Sequence, residues 1–183
     1  MSNDKNLRTV YEQYWLEARH VEHETWLFNS FYAVIVAGIF AVIGSDLPIE
    51  IKISMLFFGE IFSILGFFVV FTLRVPFFKF VLMAELIAIN EFKIKEEYRR
   101  YFPKKGKAFP KGKYFDTHDV LATFYSSMIG SMTFILLYLY LNDLVFALIG
   151  LLLSMGFFLL LHFEKLRGEY AKIFNELKGK ITV

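Results

Sequence analysis

Four uncharged runs dominate the hydrophobic pattern of this chain. From Thr25 to Ser45, from Val120 to Asn142 and from Leu144 to Phe163 no residue carries a charge, with His162 counted neutral. From Ile53 to Leu73 the one exception is Glu60. Each run is about 20 residues long, enough for a helix rising about 1.5 Å per residue to cross a hydrocarbon core of about 30 Å. The pattern predicts an all-α, integral membrane four-helix bundle made of two hairpins, with span 1 at 26–45, span 2 at 53–73, span 3 at 120–142 and span 4 at 144–163. Helical extensions flank the spans: a lead-in helix within 1–25, a helix and basic segment across 76–119, and a C-terminal helix within 164–183.

The flanks carry their own periodicity. Tyr14, Trp15, Ala18, Val21 and Thr25 recur at helical spacing, which predicts a helix over Tyr11 to Glu24. Trp15 and Trp26 suit a membrane interface, where an amphipathic ring is half wet. Pro76 offers either a kink or a fresh helix start. Phe77 to Phe92 is apolar almost all round, relieved by Lys79, Glu85 and Asn90. It either continues span 2 or lies in the interface. From Lys93 to Tyr101 the predicted helix turns highly charged and must be solvated. At the other end, Leu166, Tyr170, Ile173 and Leu177 form one stripe of an amphipathic helix over Phe163 to Lys178. Each half of the chain reads as polar lead-in, span, acidic turn, span and charged helix. That order fits a parallel duplication, and equally any four-span chain with both ends on one side.

Charge placement orients the spans. Of the 20 Lys and Arg, Lys5, Arg8 and Arg19 precede span 1, and eleven lie between Arg74 and Lys113. Five follow span 4, and Lys52 alone falls in a turn between paired spans. The positive-inside rule then puts both termini and the central connection in the cytoplasm, as expected of a multi-pass protein of the cell inner membrane. Composition agrees, with 56% apolar residues and 23 Phe. Once the spans and their flanks are counted, little remains for a separate soluble domain. The polar, acid-containing first 24 residues do not read as a cleaved signal peptide. The chain has no cysteine, which excludes disulfides, thiol catalysis and Cys-ligated zinc.

Lipid supplies no hydrophobic push between helices, so packing relies on small residues that let backbones approach. Span 1 has Ala33, Ala37, Ala41 and Ser45; span 2 has Ser54, Gly59, Ser63 and Gly66. Span 3 has Ser126, Ser127, Gly130 and Ser131, and span 4 has Ala147, Gly150, Ser154 and Gly156. These exceed one stripe per helix, so a homo-oligomer is expected, with part of the set serving subunit contacts.

Glu60 is the sharpest candidate for chemistry. A carboxylate in hydrocarbon costs several kcal/mol and must face protein or water. One Glu60 per subunit of an oligomer would make an acidic ring that passes cations. The alternative is a neutral carboxyl bonded to a serine or tyrosine of another span. The second feature is Arg99 to Lys113, where Arg99, Arg100, Lys104, Lys105, Lys107, Lys111 and Lys113 occur without an acid and with interleaved aromatics. Such a segment sets topology and attracts anionic headgroups. A cytoplasmic protein or a nucleic-acid-linked partner is the further expectation, since bases stack on aromatics. His20, His23 and Glu24 share a helix face with Glu17, a weak metal candidate better explained as a solvated surface. Asp116 to Asp119 reads as a helix cap, and His162 as a residue that marks the end of span 4. The sequence contains no hydrolase elbow, HExxH motif or phosphate loop. The expectation is therefore not an enzyme, with no cofactor and no small-molecule substrate.

The lead-in YEQYWLEARHVEHETWLFNSFYAVIVAGIFAVIG, from Tyr11 to Gly44, is followed by a second span and the charged helix AELIAINEFK from Ala84. This order resembles the small prokaryotic membrane effectors of the SLATT type over about residues 10 to 100, with two further spans in this chain. The resemblance implies a pore-forming effector of antiviral defence. The functional expectation is a homo-oligomeric pore or membrane-perturbing effector that answers a cytoplasmic signal. The alternatives are a non-conducting anchor for a cytoplasmic partner and a small ion-coupled transporter.

Overall fold

A computed structural model of the chain describes residues 2–95 and 117–178. Its elements there are α1 (Ser2–Ile43), α2 (Ile49–Asn90), α3 (Thr117–Leu141), α4 (Leu144–Leu161), a π-helical turn (His162–Leu166) and α5 (Arg167–Lys178). The described residues are thus all-α. Four stretches, Asn6–Ile43, Ile49–Asn90, Asp119–Leu141 and Leu144–Lys165, are long and apolar enough to cross a membrane. The chain divides into two compact units: a span unit of Thr25–Phe71 and Asp116–Glu164, and a flanking unit of Met1–Glu24, Thr72–Phe115 and Lys165–Val183.

In the span unit, short turns end the helices where the sequence places turn residues. Gly44 N–H donates to the Phe40 carbonyl at 3.0 Å, and Ser45 Oγ closes on the Val42 carbonyl at 2.6 Å. Asn142 joins α3 to α4 with φ of 51°. Asparagine tolerates that left-handed conformation better than most residues. Asp143 then caps α4, its carboxylate accepting from the N–H of Val145 at 2.8 Å and of Phe146 at 3.2 Å.

The core of this unit is one stripe from each helix. Tyr32, Val36 and Ile39 come from α1, and Leu56, Phe67 and Val70 from α2. Ala122, Tyr125, Ile129 and Met132 come from α3, and Phe158 from α4. Small residues set how closely the stripes meet. A Cβ on Gly130 would lie 3.1 Å from both the Leu151 carbonyl and Met155 Cβ, so α3 and α4 are close to backbone contact there. Gly59 receives Ile39 and Met132, and the Tyr125 ring lies directly on Gly66.

Apolar residues also cover the outside. Val34, Phe31, Phe57, Ile61, Leu152, Leu153, Phe157 and Leu160 are all exposed. The most apolar window, in α4, has a mean hydropathy of 2.8 and is only 11% buried. A water-soluble protein does not present so large an apolar surface.

The flanking unit resolves the segment that the periodicity left open. α2 runs unbroken through Pro76 to Asn90, so neither a fresh start nor a separate interfacial helix occurs. Phe78, Val81, Leu82, Ala84, Leu86, Ala88 and Ile89 are buried, together with Arg74 and Glu85. A helix apolar on all sides is stable when surrounded by protein, and this one is. Ala18 and Val21 of α1 are buried in the same unit, as is Leu177 of α5. Tyr11 meets Phe92 edge-on at 5.4 Å, and Tyr14 lies 6.2 Å from Phe80.

The lead-in helix and span 1 form the single helix α1. α2 ends at Asn90, before the charged run expected from Lys93 to Tyr101, and residues 96–101 of that run lie outside the described residues. Lys93 takes φ of 51°, and Ile94 N–H turns back to the Ala88 carbonyl at 3.2 Å. A left-handed residue just past a helix end lets the next N–H take up a terminal carbonyl, and here that closes α2.

Candidate functional site

Polar side chains inside the span unit form rungs along its length. Closest to the short turns, Glu60 of α2 meets Thr133 of α3, with Oε1 to Oγ1 at 2.7 Å. About one helical turn further along α2, Ser63 meets the Tyr32 hydroxyl of α1 at 2.6 Å. Next, Tyr125 of α3 donates to Asn29 Oδ1 of α1 at 2.7 Å. At the opposite end, His162 Nε2 lies 2.7 Å from Asp119 Oδ1.

The two middle rungs are relays. Ser63 donates to the Gly59 carbonyl at 2.7 Å and shares a hydrogen bond with the Tyr32 hydroxyl in which either oxygen can be the donor. Tyr125 donates to Asn29, which donates to the Thr25 carbonyl at 2.7 Å. Both relays end on a carbonyl four residues back in the same helix. The Tyr32 and Tyr125 rings also touch, their centroids 4.5 Å apart and their planes tilted by 52°. The rungs give buried hydroxyls the partners that they would otherwise lose on leaving water, a loss worth several kcal/mol in an apolar medium.

The Asp119–His162 rung was not legible in the sequence. Asp119 lies in the first turn of α3, as a cap would, and its carboxylate also meets His162. Both side chains are buried, at 8% and 2% exposure. A carboxylate only accepts, so Nε2–H is the donor. Nδ1 is buried without a hydrogen-bond partner, and the ring stands edge-on to Phe67 at 6.5 Å and Phe163 at 5.2 Å. The two residues lie at similar distances from the Asn142–Asp143 turn. Counting outward from that turn was the signal that could have paired them.

Glu60 lies on a boundary. Leu56, Gly59 and Ser63 on one side of it along α2 are buried, while Phe57 and Ile61 on the other are exposed. The remaining candidates scatter. His20 Nε2 faces Glu24 Oε1 at 3.2 Å on an exposed surface of α1, and His23 is exposed as well. Among the described residues no three His, Cys, Asp or Glu side chains gather as a metal site requires. Arg99, Arg100, Lys104, Lys105, Lys107, Lys111 and Lys113 lie outside the described residues. The small residues divide in use. Gly59, Ser63, Gly66, Ser126, Gly130 and Ala147 are buried within the subunit or packed against another helix, whereas Ala33, Ala37 and Ala41 are exposed and a Cβ on Gly38 would meet nothing.

Apolar exteriors, a hydrogen-bonded polar interior and four helices of spanning length are the features of a multi-pass membrane protein. No family model, curated protein or solved structure matches the chain.

Proposed function

We propose that this chain is a homo-oligomeric pore of the inner membrane, with both termini in the cytoplasm and Glu60 beside the conduction path. The observation that carries the reading is the position of Glu60. It is the one acidic residue in the middle of a span, and it lies at the edge of the core, where a neighbouring subunit or a water path can reach it. The exposed small face Ala33–Ala37–Ala41 supports assembly, because packing within the subunit leaves it unused. The basic segment then receives the cytoplasmic signal, and the resemblance to SLATT-type effectors makes antiviral defence the context. Conductance of the purified protein in planar bilayers tests this. Cation-selective currents that lose selectivity in Glu60→Gln are expected, and a tight bilayer at all protein concentrations refutes the pore.

One observation favours a second reading. The Phe78–Ile89 stretch of α2 is buried in a packed flanking unit, which suits a platform for a cytoplasmic partner. A non-leaking oligomer that co-purifies with a soluble protein would select this anchor.

A further inference from the structure

One face of α1 in the flanking unit stays open to solvent. Val10, Gln13, Tyr14 and Glu17 follow the i, i+3, i+4, i+7 spacing that puts residues on one side of a helix. Val21 continues that face and is buried, so the open stretch ends before it. Phe80 of α2 stands against the open stretch. The Tyr14 and Phe80 rings, both half-buried, lie 6.2 Å apart with their planes tilted by 32°, as two adjoining walls. Val10, Gln13, Tyr14, Glu17 and Phe80 together line a groove of about 410 Å³. Small-ligand sites usually measure about 300–1,000 Å³.

The lining has one charge, the Glu17 carboxylate, and one further polar group, the Gln13 carboxamide. Among the described residues neither makes a hydrogen bond or an ion pair. The charges nearest along α1 are engaged elsewhere: Arg8 with Glu12 at 3.0 Å, and His20 with Glu24 at 3.2 Å. Arg19 and Lys79 are exposed and do not line the groove. A free carboxylate beside two aromatic rings repels an anion and attracts a cation, since the faces of the rings are negative as well. The cation is not a metal ion, because hard cations need several oxygen ligands and no three acidic or histidine side chains gather among the described residues. An organic ammonium ion matches both parts of the lining. Its charge and N–H groups suit Glu17 and the Gln13 oxygen, and its carbon chain suits Val10, Tyr14 and Phe80.

We infer that this groove binds a small, water-soluble alkylammonium ion, with Glu17 as its counter-charge and Tyr14 and Phe80 as its apolar walls. Lipids with an amine headgroup carry the same chemistry, but their depth does not fit. Glu17 stands eight residues before Thr25, where the charge-free run of α1 begins. In an unbroken helix that is about 12 Å. A headgroup layer is only about 5–7 Å deep on each side of the hydrocarbon. The site stands apart from the pore reading, because every lining residue lies in the flanking unit and none depends on whether the spans conduct.

Saturation-transfer NMR of n-butylammonium chloride, titrated onto the full chain in uncharged maltoside micelles, tests the site. Transfer above that of empty micelles is expected, and it should weaken as salt is added, because an exposed charge pair is screened. Glu17→Gln should weaken binding by about tenfold, and Phe80→Leu by about fivefold, as expected for losing a charge partner or a ring face. Glu22→Gln, an exposed acid of α1 that does not line the groove, should change nothing. The uncharged 1-pentanol, of similar shape, should bind no better to the protein than to empty micelles. No transfer to wild type overturns the site, and so does equal affinity in Glu17→Gln. Equal binding of 1-pentanol would reduce the groove to an apolar patch. A short-chain phosphatidylethanolamine that binds in a Glu17-dependent way while butylammonium does not would overturn the water-soluble ligand in favour of a headgroup. Glu17 is exposed and its variant keeps the size of the side chain, so loss of binding there is read with the fold intact.

Discussion

A single hydrogen in place of a side chain decides the packing at Gly66. The Tyr125 ring occupies the space that a Cβ would take, and this ring also leads the relay to Asn29. Gly66→Ala should therefore push Tyr125 out of place and destabilise the span unit by about 1–3 kcal/mol, the usual penalty for overpacking. Gly38→Ala is the control, because nothing lies within 4 Å of the added methyl. Thermal unfolding in detergent should show a lowered midpoint for the first variant and an unchanged or raised one for the second. Equal effects would mean that close approach at Gly66 contributes nothing. The same glycine stands in the small-residue pattern of span 2, yet the pattern did not show which of Ser54, Gly59, Ser63 and Gly66 would be used. Ser54 turns out exposed, bonding only to the Glu50 carbonyl behind it.

Among the elements, the α3–α4 hairpin is held at both ends. Asp143 caps α4 beside the short turn, and His162 ties the far end of α4 to the first turn of α3. Removing His162 would take from the buried Asp119 carboxylate its partner at 2.7 Å, and breaking a buried pair costs on the order of 3 kcal/mol. His162→Ala should lower the unfolding midpoint strongly, and Asp119→Asn in the same chain should recover part of the loss, because a neutral amide is cheaper to bury. If the double variant is no better than the single one, the pair is not the lock described. The hairpin itself was legible from its charge-free runs and the Asn-Asp turn. The lock was not, because Asp119 also makes sense as a cap and a histidine at a helix end makes sense as a boundary residue. Only their meeting across the hairpin distinguishes these readings.

For the whole molecule, the absence of native cysteine makes placement measurable. Cysteines introduced at Ser2 and at Lys180 should resist an impermeant maleimide applied to intact cells and react after permeabilisation, since nineteen of the twenty basic residues lie on the side assigned to the cytoplasm. Labelling from outside would reverse the topology. A cysteine at Ala37, on the exposed small face of α1, should give a disulfide-linked dimer under mild oxidation in membranes, while one at buried Ala147 should not. Dimer formation at neither position would remove the support that this face lends to assembly.

The sequence alone determined the all-helical class and the number of long apolar helices. The reason is that a charge cannot lie in hydrocarbon without cost, so spanning segments are written as charge-free runs of a set length. It also singled out Glu60 by the same rule. Tertiary structure decided what those runs do to one another. α2 continues through Pro76 because the apolar stretch beyond it is buried in protein, and it ends at Asn90, just before Lys93 takes a left-handed conformation. Tyr32 and Ser63, Tyr125 and Asn29, and Glu60 and Thr133 pair only when three helices bring them within hydrogen-bond reach. Polarity and length are properties of a segment and can be read along the chain. A hydrogen bond between helices belongs to a pair of residues as much as 96 positions apart, and which pairs form depends on the rotation of each helix about its axis, which packing alone sets.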